Sequence, residues 1–234
     1  MPRRQRQGLC VYCEVTGPIT SDHVPPKCLF PPETRVNLMT VNACSACHDS
    51  FKLDDEYFRI VLSIRSDLPK NSNSSFLRSQ TKKTLQSAKA IGLRNSIRAA
   101  TSLHPFHTDG GIYVGHAQAL KVETVRIVRT SDRIIRGLFP KLLGSVLPKS
   151  YEASAVLFDL QKDDSALLHP DVQESLELLV SLGVHKRYGD VLDVYALHVE
   201  DDAHSSMWLV RLHKVFGFIG YTNPRDAHQV APAK

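Results

Sequence analysis

Apolar and polar positions alternate with two different periods along this chain, and the change of period divides it. Over 53–66, "LDDEYFRIVLSIRS", Phe58, Val61, Leu62 and Arg65 recur at helical spacing. Residues 67–75, "DLPKNSNSS", concentrate Pro, Asn and Ser and read as a linker. A helix is predicted over 76–100. Residues 104–116, "HPFHTDGGIYVGH", carry turn chemistry at Gly110 and Gly111, and their three histidines lack a metal spacing. A second helix is predicted over 117–143, where Arg126, Arg129, Arg133 and Arg136 step by three, four and three and so share one face. Residues 153–160 read as a strand and 171–183 as a helix closed by Gly183. The runs 190–199, 206–215 and 216–222 are β-rich, with Trp208 expected in a core. The predicted class is α+β, in three parts: 1–66, a linking segment with a basic helix over 67–116, and an α+β module over 117–234 with antiparallel strands.

The 234 residues are 42% hydrophobic, enough for a core. No apolar run reaches the roughly 18 residues of a membrane span. The start, "MPRRQRQGLC", has no apolar segment behind it, so a cytoplasmic, reducing setting without membrane attachment is expected. Charge is uneven. Residues 1–100 hold 15 Lys/Arg against 8 Asp/Glu, a balance of +7, and 101–234 hold 14 against 16, a balance of −2. A basic first half points to an anionic partner, nucleic acid first. The predicted helix at 76–100 has Arg78, Lys82, Lys83, Lys89, Arg94 and Arg98 and no acid. It reads either as a solvated face or as a helix that tracks phosphates.

Five cysteines are present, four of them in two pairs, "CVYC" (Cys10, Cys13) and "CSAC" (Cys44, Cys47). Two such knuckles in a short basic segment predict a four-thiolate structural zinc site. A disulfide reading conflicts with a reducing setting, and a redox reading accounts for only one pair. A closed set of four thiolates leaves no open position on the ion, so this zinc is expected to hold the fold. Cys28, in "PPKCLFPP", reads as a buried filler.

Between the knuckles stands "TSDHVPPKCLF", with Asp22 and His23 ahead of two prolines that restrict the backbone. "VNLMTV" (36–41) follows, and then "CSACH". This order of "DHVP", "NL" and "CSACH" over residues 8–60 resembles the HNH endonucleases, whose site is a ββα-metal (His-Me) finger. The resemblance implies a metal-dependent phosphodiester hydrolase with His23 as general base. It implies Asp22 and His48 as ligands of one divalent ion, for which Mg²⁺, Mn²⁺ or Ni²⁺ suits the oxygen and imidazole donors. It also implies that Asn37 pins the loop between the strands and orients the base; Asn42 is the rival for that place, and Asn37 is preferred because Leu38 follows it. Two positions depart from the common pattern. His48 stands where Asn is frequent, and Lys52, the expected phosphate contact, lies four residues beyond His48 where three is usual. The acidic run Asp54, Asp55, Glu56 reads by default as favouring a helix N-terminal turn.

DNA is the expected substrate, with restriction or phage defence as a setting by resemblance. Two other readings stay open: a non-catalytic zinc protein that binds nucleic acid, and a nuclease silent until a partner or ligand acts through the C-terminal module. That module could also pair with a second copy of the chain.

Overall fold

A computed structural model describes residues 6–108, 110–159, 170–199 and 201–225. The chain is mixed α and β with antiparallel sheets. It starts with β1 (Arg6–Leu9), β2 (Thr16–His23) and β3 (Thr40–Ala43), which form one sheet in that order. In the β2–β3 pair, Asp22 faces Val41 and His23 faces Thr40. Helix α1 (Ser45–Ile64) leaves directly from β3, so strand, strand and helix succeed one another around the 24–39 loop. Because α1 starts at Ser45, the run Asp54–Glu56 lies in its middle, away from the N-terminal turn expected for it.

Helix α2 (Ser72–Gln86) begins inside the expected linker. Asn71 and Ser74 form a reciprocal capping box there, so the Asn and Ser concentration is a helix start. The helix expected over 76–100 is divided. Ser87 is extended (φ −66, ψ 138) and its side chain accepts from the Lys89 amide, which opens a short 3-10 turn before α3 (Ile91–Ala99). The helix expected over 117–143 is shortened for another reason. Residues 101–107 and 113–120 pair as a hairpin, β4 (Thr101–His107) with β5 (Tyr113–Leu120), and α4 (Thr124–Leu142) starts only after it.

The remaining elements are β6 (Tyr151–Asp159), α5 (Pro170–Leu182), β7 (Val184–Tyr188), β8 (Leu192–Val199), β9 (Asp202–Leu212) and β10 (Phe216–Pro224). Their five strands lie in the order β6-β10-β9-β8-β7, all antiparallel. The two β-rich runs expected at 206–215 and 216–222 are separated by a turn in which His213 and Lys214 take positive φ. Leu160, the last residue of the expected 153–160 strand, lies outside the described residues.

Alternation along these strands gives the sheet two apolar faces. Leu209 and Ile219 point to α5 and pack with Leu179. Trp208, Val210, Phe216 and Phe218 point the other way, into a core shared with Ile134 and Phe139 of α4 and Phe58 of α1. Trp208 is fully buried, as expected, and its indole N–H donates to Ser206 Oγ at 2.7 Å. This one core also takes in Val24, Leu29 and Phe30, so it runs across the expected boundaries at 66 and 116. Two glycines let α4 sit this close. A Cβ on Gly220 would lie 2.3 Å from Ile135 Cδ1, and one on Gly137 would lie 2.7 Å from Val24 Cγ2. Among the described residues no helix is long and apolar enough to cross a membrane.

Candidate functional site

The β1–β2 turn carries Cys10 and Cys13. It is tightened by the Glu14 amide, which donates to the Cys10 carbonyl at 2.8 Å, with Glu14 at φ +54. Cys44 caps α1, its sulfur accepting from the Cys47 amide at 3.5 Å, and Cys47 lies in the first turn. Two distant stretches thereby meet. The four sulfurs lie within 4.8 Å of one another, and Cys13 and Cys44 are 3.7 Å apart. A tetrahedral zinc with bonds of about 2.3 Å separates its sulfurs by about 3.8 Å, so the donor set and its spacing fit such an ion. All five cysteines are free thiols. Burial and the neighbouring thiols push Cys47 up. A bound cation would favour the thiolate forms that ligate it. Cys28 is set apart from this cluster. Burial pushes it up to about 12 and its sulfur meets the Asp55 carbonyl at 3.7 Å, which suits the filler role.

Beside the cluster opens a cavity of about 550 Å³ between the end of β2, the 24–39 loop, α1 and α2. Asp22 and His23 reach it from β2, and His48 from the first turn of α1. Further along α1, Lys52, Asp55, Glu56 and Arg59 line it at helical spacing from His48. Lys27 and Arg35 close it from the loop, Phe76 and Gln80 from α2. The wall is braced. Arg35 donates through Nε to the Phe30 carbonyl at 2.8 Å and lies 5.5 Å from the Phe76 ring centre. Arg59 is buried and donates to the hydroxyls of Thr81 (3.0 Å) and Thr84 (2.8 Å), which fastens α2 to α1.

His23 is half-buried, and burial together with Lys27 holds its imidazole below the usual range although Asp22 pulls the other way. A neutral imidazole is the form that can accept a proton. Asp22 is buried. The Tyr12 hydroxyl donates to its Oδ2 at 2.8 Å, and Arg133 Nη1 lies 3.7 Å from the same oxygen. Arg133 also stands 3.0 Å from Asp55 Oδ1 and over the Phe51 ring at 4.6 Å. Burial pushes the Asp55 carboxyl up to about 7 against the pull of Arg133.

Three of the four arginines on that face of α4, Arg126, Arg133 and Arg136, are thus turned inward, while Arg129 stays 61% exposed. Arg126 pairs with Asp54 (2.7 Å) and lies over Tyr57, while Arg129 reaches the other Asp54 oxygen (3.1 Å). Arg136 donates to the Leu147 carbonyl at 2.7 Å. Asp54 and Asp55 serve as anchors for α4, and Glu56 faces the cavity.

The other expected residues are spread differently. Asn37 is exposed in the loop at φ +57, outside the cavity lining; its carbonyl accepts from the Tyr188 hydroxyl at 2.8 Å. Asn42 lies in β3, where its carbonyl accepts from the Val11 amide at 3.0 Å. Lys52 lines the cavity and pairs with Asp49 at 2.6 Å. Arg78, Lys82, Lys83 and Lys89 are exposed on α2 and the turn after it, and Arg94 on α3. Among the described residues the cysteines are the only set of three or more His, Cys, Asp or Glu side chains with all ligating atoms so close; Asp22, His23 and His48 form no such set. A second metal here would rest on two protein ligands, Asp22 and His48. Tyr12, Lys27, Arg35, Arg59 and Arg133 were not among the expected site residues. Arg59 carried a local signal in its spacing of eleven from His48 on one helix face, and Arg133 in its place on the α4 arginine face, although that face did not point to this site.

In comparisons with protein-family models, curated proteins and solved structures, nothing matches this chain.

Proposed function

We propose that the chain is a metal-dependent endonuclease of the HNH type that hydrolyses phosphodiester bonds in DNA. One observation carries this reading: Asp22, His23 and His48 line a single cavity, with Lys27, Arg35, Lys52 and Arg59 around them, against the four-cysteine cluster. His23 takes the proton from a water as that water's oxygen bonds to phosphorus and the bond to the leaving oxygen breaks. Asp22 and His48 would hold Mg²⁺ or Mn²⁺, with Ni²⁺ as a further possibility; when bound, the ion offsets the charge that grows on the phosphate. The donor types suit such an ion, and Asp22 and His48 line the same cavity. Lys27, Arg35 and Lys52 meet the phosphate from the rim. Zinc on Cys10, Cys13, Cys44 and Cys47 holds β2 and α1 in register.

The test is digestion of a supercoiled plasmid with Mg²⁺ or Mn²⁺, run beside His23→Ala. Metal-dependent nicking by the unaltered chain, reduced about 10²–10⁴-fold in His23→Ala, supports the reading. Asp22→Ala and His48→Ala lose both cleavage and Mn²⁺ binding in calorimetry, whereas His23→Ala keeps the ion. Equal cutting by all four proteins overturns the assignment, and tight binding without cutting favours a non-catalytic binder. A second reading, control through the C-terminal part, is favoured by Arg133, which joins α4 to Asp22 and Asp55. Cutting that starts only after a partner is added selects it.

A further inference from the structure

Among the described residues the β4–β5 hairpin stands apart from every other strand pair. The other sheets bury at least one residue in each pair of neighbouring strands, whereas no residue of β4 or β5 is buried. Five large apolar side chains are open to solvent: Leu103 (67% exposed), Phe106 (56%), Ile112 (69%), Tyr113 (54%) and Val114 (59%). Exposed apolar side chains in this number mark a binding surface, and they lie on both faces of the ribbon, Phe106 opposite Gly115 and Tyr113 beside His107 and His116. A two-stranded ribbon has little stability of its own in water.

The ribbon is nonetheless held in a defined shape. At its root, Thr101 Oγ1 donates to the Ile97 carbonyl at 2.7 Å and the Lys121 amide to the Ala100 carbonyl at 2.8 Å, which fixes it to the end of α3. At its tip, the Thr108 amide donates to the Ile112 carbonyl (2.8 Å) and the Ile112 amide to Thr108 Oγ1 (3.1 Å). The rings of His107, Tyr113 and His116 follow one another at 5.6 and 5.8 Å.

Charge indicates what it meets. From 68 to 122 the chain has eight Lys/Arg and one acid, Asp109, which lies outside the described residues. All eight cations are exposed. This basic segment is also part of the candidate site, because Phe76 and Gln80 of α2 line its cavity. A polyanion on α2 and α3 would therefore run between the cavity and the apolar ribbon. Two-stranded ribbons enter either groove of a duplex. Exposed apolar and aromatic side chains at its tip suit insertion between base steps, the way groove-binding proteins kink and unwind a duplex.

We propose that the β4–β5 hairpin is a wedge for double-stranded DNA: Phe106 and Tyr113 enter between base steps while the cations of α2 and α3 hold the backbone. This rests on the nuclease reading above.

The test uses His23→Ala protein, so that a plasmid stays closed, and a metal-independent topoisomerase. Protein bound to the relaxed plasmid lowers the linking number, and the shift persists after deproteinisation. Adding Phe106→Ala and Tyr113→Ala abolishes the shift at equal occupancy, while the salt slope of binding stays unchanged because no cation is lost. Circular dichroism checks that these exposed substitutions leave the fold intact. Binding without a shift, or a shift that survives in the triple variant, overturns the wedge and leaves the nuclease reading standing. A dimer of the unaltered chain that becomes monomeric with Phe106→Ala and Tyr113→Ala, with topoisomers unaffected, assigns the hairpin to a second copy and also overturns the wedge. No binding to the plasmid overturns it outright. Failure of the nuclease reading is seen separately, as no metal-dependent nicking by the unaltered chain.

Discussion

His213 offers a direct measure of how the sheet holds the loop that follows His23. It stands in the β9–β10 turn, is 4% exposed, and donates through Nε2 to the Leu29 carbonyl at 3.1 Å. Burial lowers its imidazole from 6.5 to about 4, with the Leu29 hydrogen bond a smaller opposing effect. In the unfolded chain the same ring takes its proton near pH 6.5. Stability from the neutral ring is therefore present above that pH. It is lost as pH falls toward 4, because the unfolded state gains a proton that the native state refuses. Two and a half pH units at 1.36 kcal/mol each make the loss about 3 kcal/mol. His213→Gln cannot be protonated, and its amide does not reproduce the placement of the imidazole N–H on the Leu29 carbonyl. At neutral pH the variant should be weaker by about 1 kcal/mol, the worth of a well-placed hydrogen bond. Near pH 4 the order should reverse, with the variant ahead by about 2 kcal/mol. Urea unfolding of both proteins from about pH 7.5 to about pH 4 reads this directly, since ΔG follows denaturant linearly at each pH. Acid release of a cysteine-bound metal affects both alike and drops out of the difference. Parallel pH curves for the two proteins would refute the argument, because His213 would then titrate alike folded and unfolded.

Other outcomes follow from the site. Metal analysis should find one zinc per chain, and its removal by a strong chelator should melt the region of β1–β3 and α1, read as lost helix signal; folded protein without zinc would contradict this. Gly137→Ala sets a Cβ 2.7 Å from Val24 and 2.9 Å from the Tyr12 hydroxyl, and Gly220→Ala sets one 2.3 Å from Ile135. Both should lower the melting temperature, by about 2–4 °C for each kcal/mol of overpacking, yet only Gly137→Ala, which pushes on the residue that aims Asp22, should slow nicking well below its melting point. Lys27→Glu should move the acid limb of the pH–rate profile upward, because Lys27 helps to hold His23 low; an unmoved limb would exclude His23 as the titrating base.

Features set by short spacings were legible in the chain itself. Two Cys-x-x-Cys pairs imply a metal cluster because two intervening residues make a knuckle whatever surrounds it. The helical face of Arg126, Arg129, Arg133 and Arg136 follows from the helix period alone. What that face does was not legible. Arg133 meets Asp22 and Asp55, and Arg126 meets Asp54, partners far away in sequence that only packing of α4 on α1 brings near. Tyr12 reaches Asp22 through the β1–β2 hairpin, whose pairing no short spacing announced. The hairpin was misread for the same reason. Residues 117–120 read as the start of a helix, which Ala117, Ala119 and Leu120 favour locally, and pairing with 101–104 across the turn at Gly111 overrides that preference. Periodicity and ligand spacing are properties of neighbours along the chain. Pairing, burial and the inward turn of a charged face depend on contacts whose sequence separation no local pattern encodes.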